Sequence, residues 1–312
     1  MDEEMDPQRP PGPPAAPKGK ERLDVLLVAR NLCESRQLAR RHILAGEVRV
    51  NSDRVDKPGT WVRLDATIAL AAQPRFVSRG GDKLAGAIAA LGVEPKGRIC
   101  LDGGISTGGF TDCLLQAGAK TVYGIDVGYG QVAWSLRQDE RVILRERTNL
   151  RHLTPTDLYG NLPAAEWPDF GVADLSFISL TKVLPALWAL LVPPREVLLL
   201  VKPQFEVGRD RLGKKGVVRE PADRASAIAT VLASATALGW HYRGVSLSSM
   251  PGPAGNLEYI LWLADHSTAE PPTAAEWLAI AQQQPPVAAV RDVKGDVADG
   301  LDPDINADTN SE

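Results

Sequence analysis

The chain has 312 residues, 44% hydrophobic and 24% charged, which is ordinary globular material for one large domain and a small one. No apolar run reaches the roughly 18–20 residues of a membrane helix, since Pro185 interrupts the longest, and the acidic, proline-rich start lacks the pattern of a signal peptide. The net charge of −4 hides an acidic stretch at 265–312, ten acids against two bases, and a basic one at 20–85, 13 bases against eight acids, which suits a polyanionic partner.

In chain order, residues 1–19 carry Pro10, Pro11, Pro13, Pro14 and Pro17 with little to bury, and a disordered leader is expected. Residues 20–72 form a first ordered unit. Leu23, Leu26 and Leu27 mark a short amphipathic helix; Leu38, Ala39, Ile43 and Leu44 mark a second, with Ser35 to cap it and Gly46 to turn the chain. A strand pair over 48–50 and 61–70 follows, joined through Asn51-Ser52 and Pro58-Gly59. This order makes a small α+β module.

A linker at 73–77 leads to a second unit, 78–266, where strand and helix patterns alternate. Strands are predicted at 99–102, 122–126, 142–144, 171–174, 197–202, 243–247 and 257–263, with helices notably at 110–117, 180–191 and 221–238. Such alternation implies an α/β fold with a mainly parallel, doubly wound sheet. Ligands of such sheets sit at the carboxyl ends of the strands, where strand order reverses. Residues 267–312 are expected to be a disordered acidic tail with one helix near 274–282.

The first strand of the second unit runs into Leu101-Asp102-Gly103-Gly104-Ile105-Ser106-Thr107-Gly108-Gly109-Phe110. Glycines allow a tight turn and a close ligand. The next strand ends on Asp126, whose carboxylate can accept both hydroxyls of a ribose. The spacing departs from G-x-G-x-x-G, because Gly103 and Gly104 are adjacent and Gly108 comes next. A nucleoside without a pyrophosphate is therefore the expected ligand; the plainer alternative is a loop that only turns strand into helix. Four ionisable residues fall at neighbouring positions of such a fold. Asp174 and Lys202 end the fourth and fifth strands, Glu258 lies in the last, and Lys83 opens the helix before the first. Burying charges at the ends of such apolar strands is expensive unless they neutralise one another. Two ordinary salt bridges at a sheet edge would also satisfy that spacing. Cys33, Cys100 and Cys113 show no metal or redox spacing, and the four histidines lack ligand-like partners, so reduced thiols, a cytoplasmic location and no metal are expected.

These residues carry a resemblance. The second unit resembles the FtsJ-like RNA ribose 2′-O-methyltransferases, whose Lys-Asp-Lys-Glu tetrad is matched in order by Lys83, Asp174, Lys202 and Glu258. More narrowly, the chain is similar to the TlyA-type rRNA cytidine-2′-O-methyltransferases, a group that also carries the name haemolysin. The matching runs are Val77-Ser78-Arg79-Gly80-Gly81-Asp82-Lys83-Leu84, Ser106-Thr107-Gly108-Gly109-Phe110-Thr111, Asp126-Val127-Gly128-Tyr129-Gly130-Gln131 and Glu146-Arg147-Thr148-Asn149. They continue through Asp174-Leu175-Ser176-Phe177-Ile178-Ser179-Leu180, Lys202-Pro203-Gln204-Phe205-Glu206 and Gly255-Asn256-Leu257-Glu258. The chain departs from the group in the short Arg75-Phe76-Val77 linker and at Gly103, where a branched residue is usual and only strand packing should change. Residues 20–72 resemble the S4 RNA-binding domain through Arg22-Leu23-Asp24, Ser35-Arg36, Ala39, Ile43 and Gly46-Glu47-Val48-Arg49-Val50-Asn51.

The resemblance implies a Rossmann-like, S-adenosylmethionine-dependent methyltransferase domain behind an S4 domain, acting on ribosomal RNA or ribosomal subunits. It implies donor contacts from Asp102, Gly104, Ser106, Thr107, Gly108, Gly109, Phe110, Asp126, Asn149 and Asp174. Lys202 would bind or deprotonate the ribose hydroxyl, Asp174 and Glu258 would orient it, and Lys83 would complete the charge balance. RNA contacts are expected from Arg22, Arg36, Arg40, Arg41, Arg49 and Arg79; Arg36 and Arg40 share one helix face. Competing readings are a nicotinamide-dependent oxidoreductase, disfavoured by the glycine spacing, a non-catalytic ribosome-assembly factor, and a haemolysin-like cytolysin.

Overall fold

The computed structural model describes residues 17–70 and 74–285, which fall into two compact units. The leader before residue 17 and the tail beyond 285 lie outside the described residues.

In the first unit, β1 (Lys20–Arg22), α1 (Leu23–Ala29), α2 (Arg36–Leu44), β2 (Val48–Val50), β3 (Asp53–Val55), β4 (Trp61–Arg63) and β5 (Ile68–Leu70) enclose a small core of Leu23, Leu27, Ala39, Ile43 and Val48. Ser35 caps α2 by accepting from the Leu38 amide, and Gly46 follows it at φ +71. The strand expected over 61–70 is two strands of two sheets. β4 pairs with β1, whereas β5 and β3 flank β2. The break falls at Leu64–Thr67, where the Arg63 guanidinium folds onto the Asp65 carboxylate and the Ala66 amide closes a turn on the Arg63 carbonyl.

The second unit opens with α3 (Arg79–Leu91). Then come β6 (Ile99–Gly103), α4 (Gly109–Gln116), β7 (Thr121–Ile125), α5 (Trp134–Arg137), β8 (Val142–Arg145), α6 (Pro155–Tyr159), β9 (Phe170–Ala173) and α7 (Leu184–Leu190). It ends with β10 (Glu196–Val201), α8 (Pro203–Glu206), α9 (Pro221–Thr236), β11 (His241–Leu247), β12 (Tyr259–Ala264) and α10 (Ala274–Gln282). The seven strands lie in the order β11-β12-β10-β9-β6-β7-β8, parallel from β10 to β8, with β12 antiparallel to both its neighbours. Both faces of the sheet are covered. Val197, Leu199 and Val201 of β10 pack with α7 and α9, and Leu198 and Leu200 join the core that takes in α3 and α4. That two-sided burial is why the strands read as continuous apolar runs. The strand order reverses at β6, between β7 and β9, so a ligand is expected past its carboxyl end.

Two boundaries differ from the sequence reading. Residues 74–77 belong to this unit: Phe76 is buried over Gly81, where a Cβ would stand 2.2 Å from its ring, and the Val77 amide donates to Asp112. The unit also runs past 266, because α10 buries Trp277 and Ala281, and the Arg224 guanidinium and Tyr259 hydroxyl both donate to the Ala281 carbonyl. Among the described residues no helix is long and apolar enough to cross a membrane.

Candidate active site

Past β6 the chain turns through Gly104 at φ +86, Ser106 at φ +51 and Gly108 at φ +99, and α4 begins. Gly104 is fixed by its surroundings, because a Cβ there would lie 2.6 Å from the Asp174 carbonyl oxygen. Asp126, just past β7, ties this loop down. One carboxylate oxygen accepts from the Ser106 amide at 2.8 Å and the other from the Gly128 amide at 2.7 Å. Each oxygen keeps a further lone pair for a diol.

Two clefts open at these strand ends. The larger, about 440 Å³, includes Gly104, Ser106, Asp126, Asn149, Asp174 and Phe177 in its wall; that wall holds two carboxylates and no lysine, arginine or histidine. The smaller, about 330 Å³, is lined by Arg79, Lys83, Thr107, Gly109, Phe110 and others, and shares Gly104, Ser106 and Asp174 with the first. Of the ten residues expected at the donor, five therefore line the larger cleft. Thr107, Gly109 and Phe110 belong to the smaller one, and Gly108, which lines neither, starts α4 in a left-handed conformation. Asp102 is fully buried within β6, where one oxygen accepts from the Thr111 hydroxyl at 2.6 Å, so it supports the loop from beneath. Gly103 leaves room for a residue of the larger cleft. A Cβ there would lie 2.7 Å from the Leu150 side chain, and Leu150 lines the larger cleft.

The four tetrad positions form two ion pairs at the same end of the sheet. Lys83 Nζ, in α3, donates to Glu258 Oε2 at 2.5 Å, with both groups buried. Lys202 Nζ lies 2.6 Å from Asp174 Oδ1, outside hydrogen-bond angles, and donates to Ser176 Oγ at 2.9 Å. Lys83 and Asp174 both face the smaller cleft.

Several site residues carried no role in the sequence reading although they lie in its quoted motifs. Ser176 holds Lys202. Phe177 is 92% exposed at φ +66 in the wall of the larger cleft, and its ring is 5.4 Å from that of Phe205. Asn256 is buried and bridges the Val218 amide and the Gly216 carbonyl. For Ser176 and Asn256 the available signal was a polar residue inside a quoted motif; the exposed Phe177 leaves none, because exposure is not written in a single sequence.

In the first unit the expected arginines divide. Arg22 and Arg36 both bond the fully buried Asp24, so they serve the fold first. Arg40 and Arg41 are exposed on α2 with no ion pair among the described residues, and they line a groove with Arg36 and Leu44. Arg49 is exposed and donates to the Ser52 carbonyl.

Known proteins resemble the chain in sequence and fold. The profile of the FtsJ-like methyltransferases matches residues 76–265, and that of the S4 domain matches residues 21–68. The chain is 48% identical over 246 residues to the 16S/23S rRNA (cytidine-2′-O)-methyltransferase TlyA of Mycobacterium tuberculosis, covering 78% of this chain and 90% of that one. It is 49% identical over 245 residues to YqxC of Bacillus subtilis, whose name assigns it to the rRNA methyltransferases, covering 78% and 85%. A solved structure from Streptococcus thermophilus that bears a hemolysin designation is 39% identical, with a TM-score of 0.63 over 84% of this chain and 94% of that one. The chain thus belongs to the FtsJ-like methyltransferase family, with an S4 domain ahead of its catalytic unit.

Proposed function

We propose that the protein transfers a methyl group from S-adenosylmethionine to the ribose 2′-hydroxyl of a cytidine in ribosomal RNA. The charge contrast between the two adjoining clefts carries this reading. The larger one, with Asp126 and Asp174 and no base, suits a cationic nucleoside; the smaller one shares Asp174 and has its Lys83 paired with Glu258, but adds the exposed Arg79, which has no ion pair among the described residues and suits an anionic chain. A dinucleotide would bring its pyrophosphate into an acidic cleft, which disfavours the oxidoreductase alternative. The fit to the donor also rests on Gly104, whose missing side chain keeps the backbone close, on the free lone pairs of Asp126, and on the apolar Ile125, Val127, Leu150 and Ile178. Gly104, Ser106, Asp126 and Asn149 would hold it. When bound, S-adenosylmethionine supplies a methyl group on a sulfonium already activated for transfer.

The acceptor hydroxyl is a weak nucleophile, so placing it counts for most of the rate. Lys202 holds the hydroxyl oxygen through its ammonium, or takes its proton after first releasing one. Asp174 and Ser176 orient Lys202. The Lys83–Glu258 pair backs the smaller cleft, and Arg79 with the α2 arginines binds RNA phosphates. An rRNA substrate implies work in the cytoplasm. The test is to incubate the protein with methyl-tritiated S-adenosylmethionine and ribosomal RNA or subunits, and to map ribose methylation. Label at a cytidine 2′-oxygen is expected; label only on bases, or none, would overturn the reading.

A further inference from the structure

β9 and β10 are paired in register as far as Ala173 and Leu199. Beyond that rung the two strands run on to Asp174 and Lys202, and no backbone hydrogen bond joins 174–180 to 202–206. Side chains join them instead. Lys202 reaches Asp174 and Ser176, and the Phe205 ring meets the Phe177 ring. Glu206 then closes the series. Its Oε2 accepts from the Ser179 hydroxyl at 2.6 Å, and its Oε1 accepts from the Leu180 amide at 2.8 Å.

Glu206 is half-buried and takes part in no ion pair among the described residues. Burial raises the pKa of its carboxyl, against the two hydrogen bonds that lower it. An acid answered only by neutral donors is a costly way to fill space, and an apolar side chain would serve the core better. What the acid does is hold both ends of a short loop. Ser176, at one end, is fixed through Lys202; Ser179 and Leu180, at the other, are fixed through Glu206. Phe177 sits between them in a left-handed backbone conformation, which a bulky residue keeps only when its neighbours enforce it.

We propose that Glu206 is a positioning residue for methyl transfer: by tying Ser179 and Leu180 to the exit of β10, it sets the two strand exits against each other and so fixes Lys202 Nζ against Asp174. This inference rests on the methyl-transfer reading above. A displacement of about 1 Å at such a centre can lower a rate on the order of 10²-fold while binding survives.

The test uses the full chain carrying Glu206→Ala, Glu206→Gln or Ser179→Ala. Single-turnover methylation, donor affinity by calorimetry and RNA affinity by filter binding are measured. The rate of Lys202 acylation by acetic anhydride is read by mass spectrometry on the ligand-free protein. Glu206→Ala should slow the single turnover about tenfold or more, leave both affinities within about threefold, and speed Lys202 acylation several-fold. Glu206→Gln keeps a carbonyl oxygen for the Leu180 amide and should recover most of the rate; Ser179→Ala should fall between. If Glu206→Ala does not fold, the other two variants carry the test. A rate within about twofold of wild type with unchanged acylation would overturn the proposal, as would a loss seen only in donor affinity. If the wild-type protein transfers no methyl group, the functional reading fails, and the acylation rates still decide whether Glu206 positions Lys202.

Discussion

Lys202 is held at the neighbouring strand exit by an ion pair with Asp174 and a hydrogen bond to Ser176, an arrangement compatible with action by charge or by proton transfer. Lys202→Ala should lower the single-turnover rate by roughly 10²–10⁴-fold with donor and RNA still bound. Lys202→Arg separates the two roles, since arginine keeps the charge but cannot release a proton in the working range. Activity near that of the alanine variant would mean proton transfer, and substantial recovery would mean charge. A loss under about tenfold for Lys202→Ala would remove the lysine from the mechanism. Asp102 shows a different physics. Burial, opposed by the Thr111 hydroxyl and reinforced by the charges of Asp174 and Asp126, pushes its carboxyl up to about 7. That lies above its unfolded value near 4, so ionising it inside the fold destabilises the protein. The penalty is absent below about pH 4 and complete above about pH 7. Asp102→Asn should therefore gain on wild type by a few kcal/mol as pH rises from 5 to 8. Thermal melts across that range check it, and parallel curves would refute it. The resemblance gave Asp102 as a donor contact, whereas the structure buries it completely in β6, lining neither cleft. Its complete burial depends on β7 and β9 lying to either side, and no local pattern states that.

At the scale of elements, the glycine loop distinguishes two residues that look alike in sequence. Both Gly104 and Gly108 have positive φ, yet a Cβ on Gly104 meets a backbone carbonyl, whereas one on Gly108 meets the tip of Leu136 at 2.2 Å. The leucine can turn aside and the carbonyl cannot. Gly104→Val should abolish donor binding by calorimetry, and Gly108→Ala should cost stability, about 1 kcal/mol or more for the strained φ, with donor affinity largely kept. Equal loss of affinity in both would show that the loop acts as one unit. The strands were legible because two-sided burial makes them apolar throughout, and β6 to β10 fall within a residue or two of expectation. The first unit was harder. β1 and β3 are three residues long and polar, and Lys20-Glu21-Arg22 has no alternation to read. Their strand character comes from partners, β4 for one and β2 for the other. α10 was placed correctly but assigned to a tail, because its anchors, Arg224 and Tyr259, lie in elements distant in sequence.

Across the whole chain, charge is sorted by surface, and the net value of −4 conceals it. The larger cleft is acidic, the adjoining one sets Arg79 and the Glu258-paired Lys83 against Asp174, and the α2 groove is basic through Arg36, Arg40 and Arg41. RNA affinity built on phosphate contacts should weaken steeply with salt, each contact contributing about 0.7–0.9 to the slope of log affinity against log salt concentration. The arginines of α2 should then respond differently although they share one helix. Arg40 and Arg41 have no ion pair among the described residues, so Arg40→Ala and Arg41→Ala should lower RNA affinity and flatten the salt slope by about one contact each, with little change in melting temperature. Arg36 shares the buried Asp24 with Arg22. Removing it leaves that carboxylate half-answered, so Arg36→Ala should lower the melting temperature of the first unit as well as weaken RNA binding. Donor affinity should be untouched in all three, because the donor cleft is formed wholly by the second unit. Titrations at several salt concentrations beside thermal melts decide the matter. A salt slope unchanged in both Arg40→Ala and Arg41→Ala would mean that RNA enters the first unit by another surface.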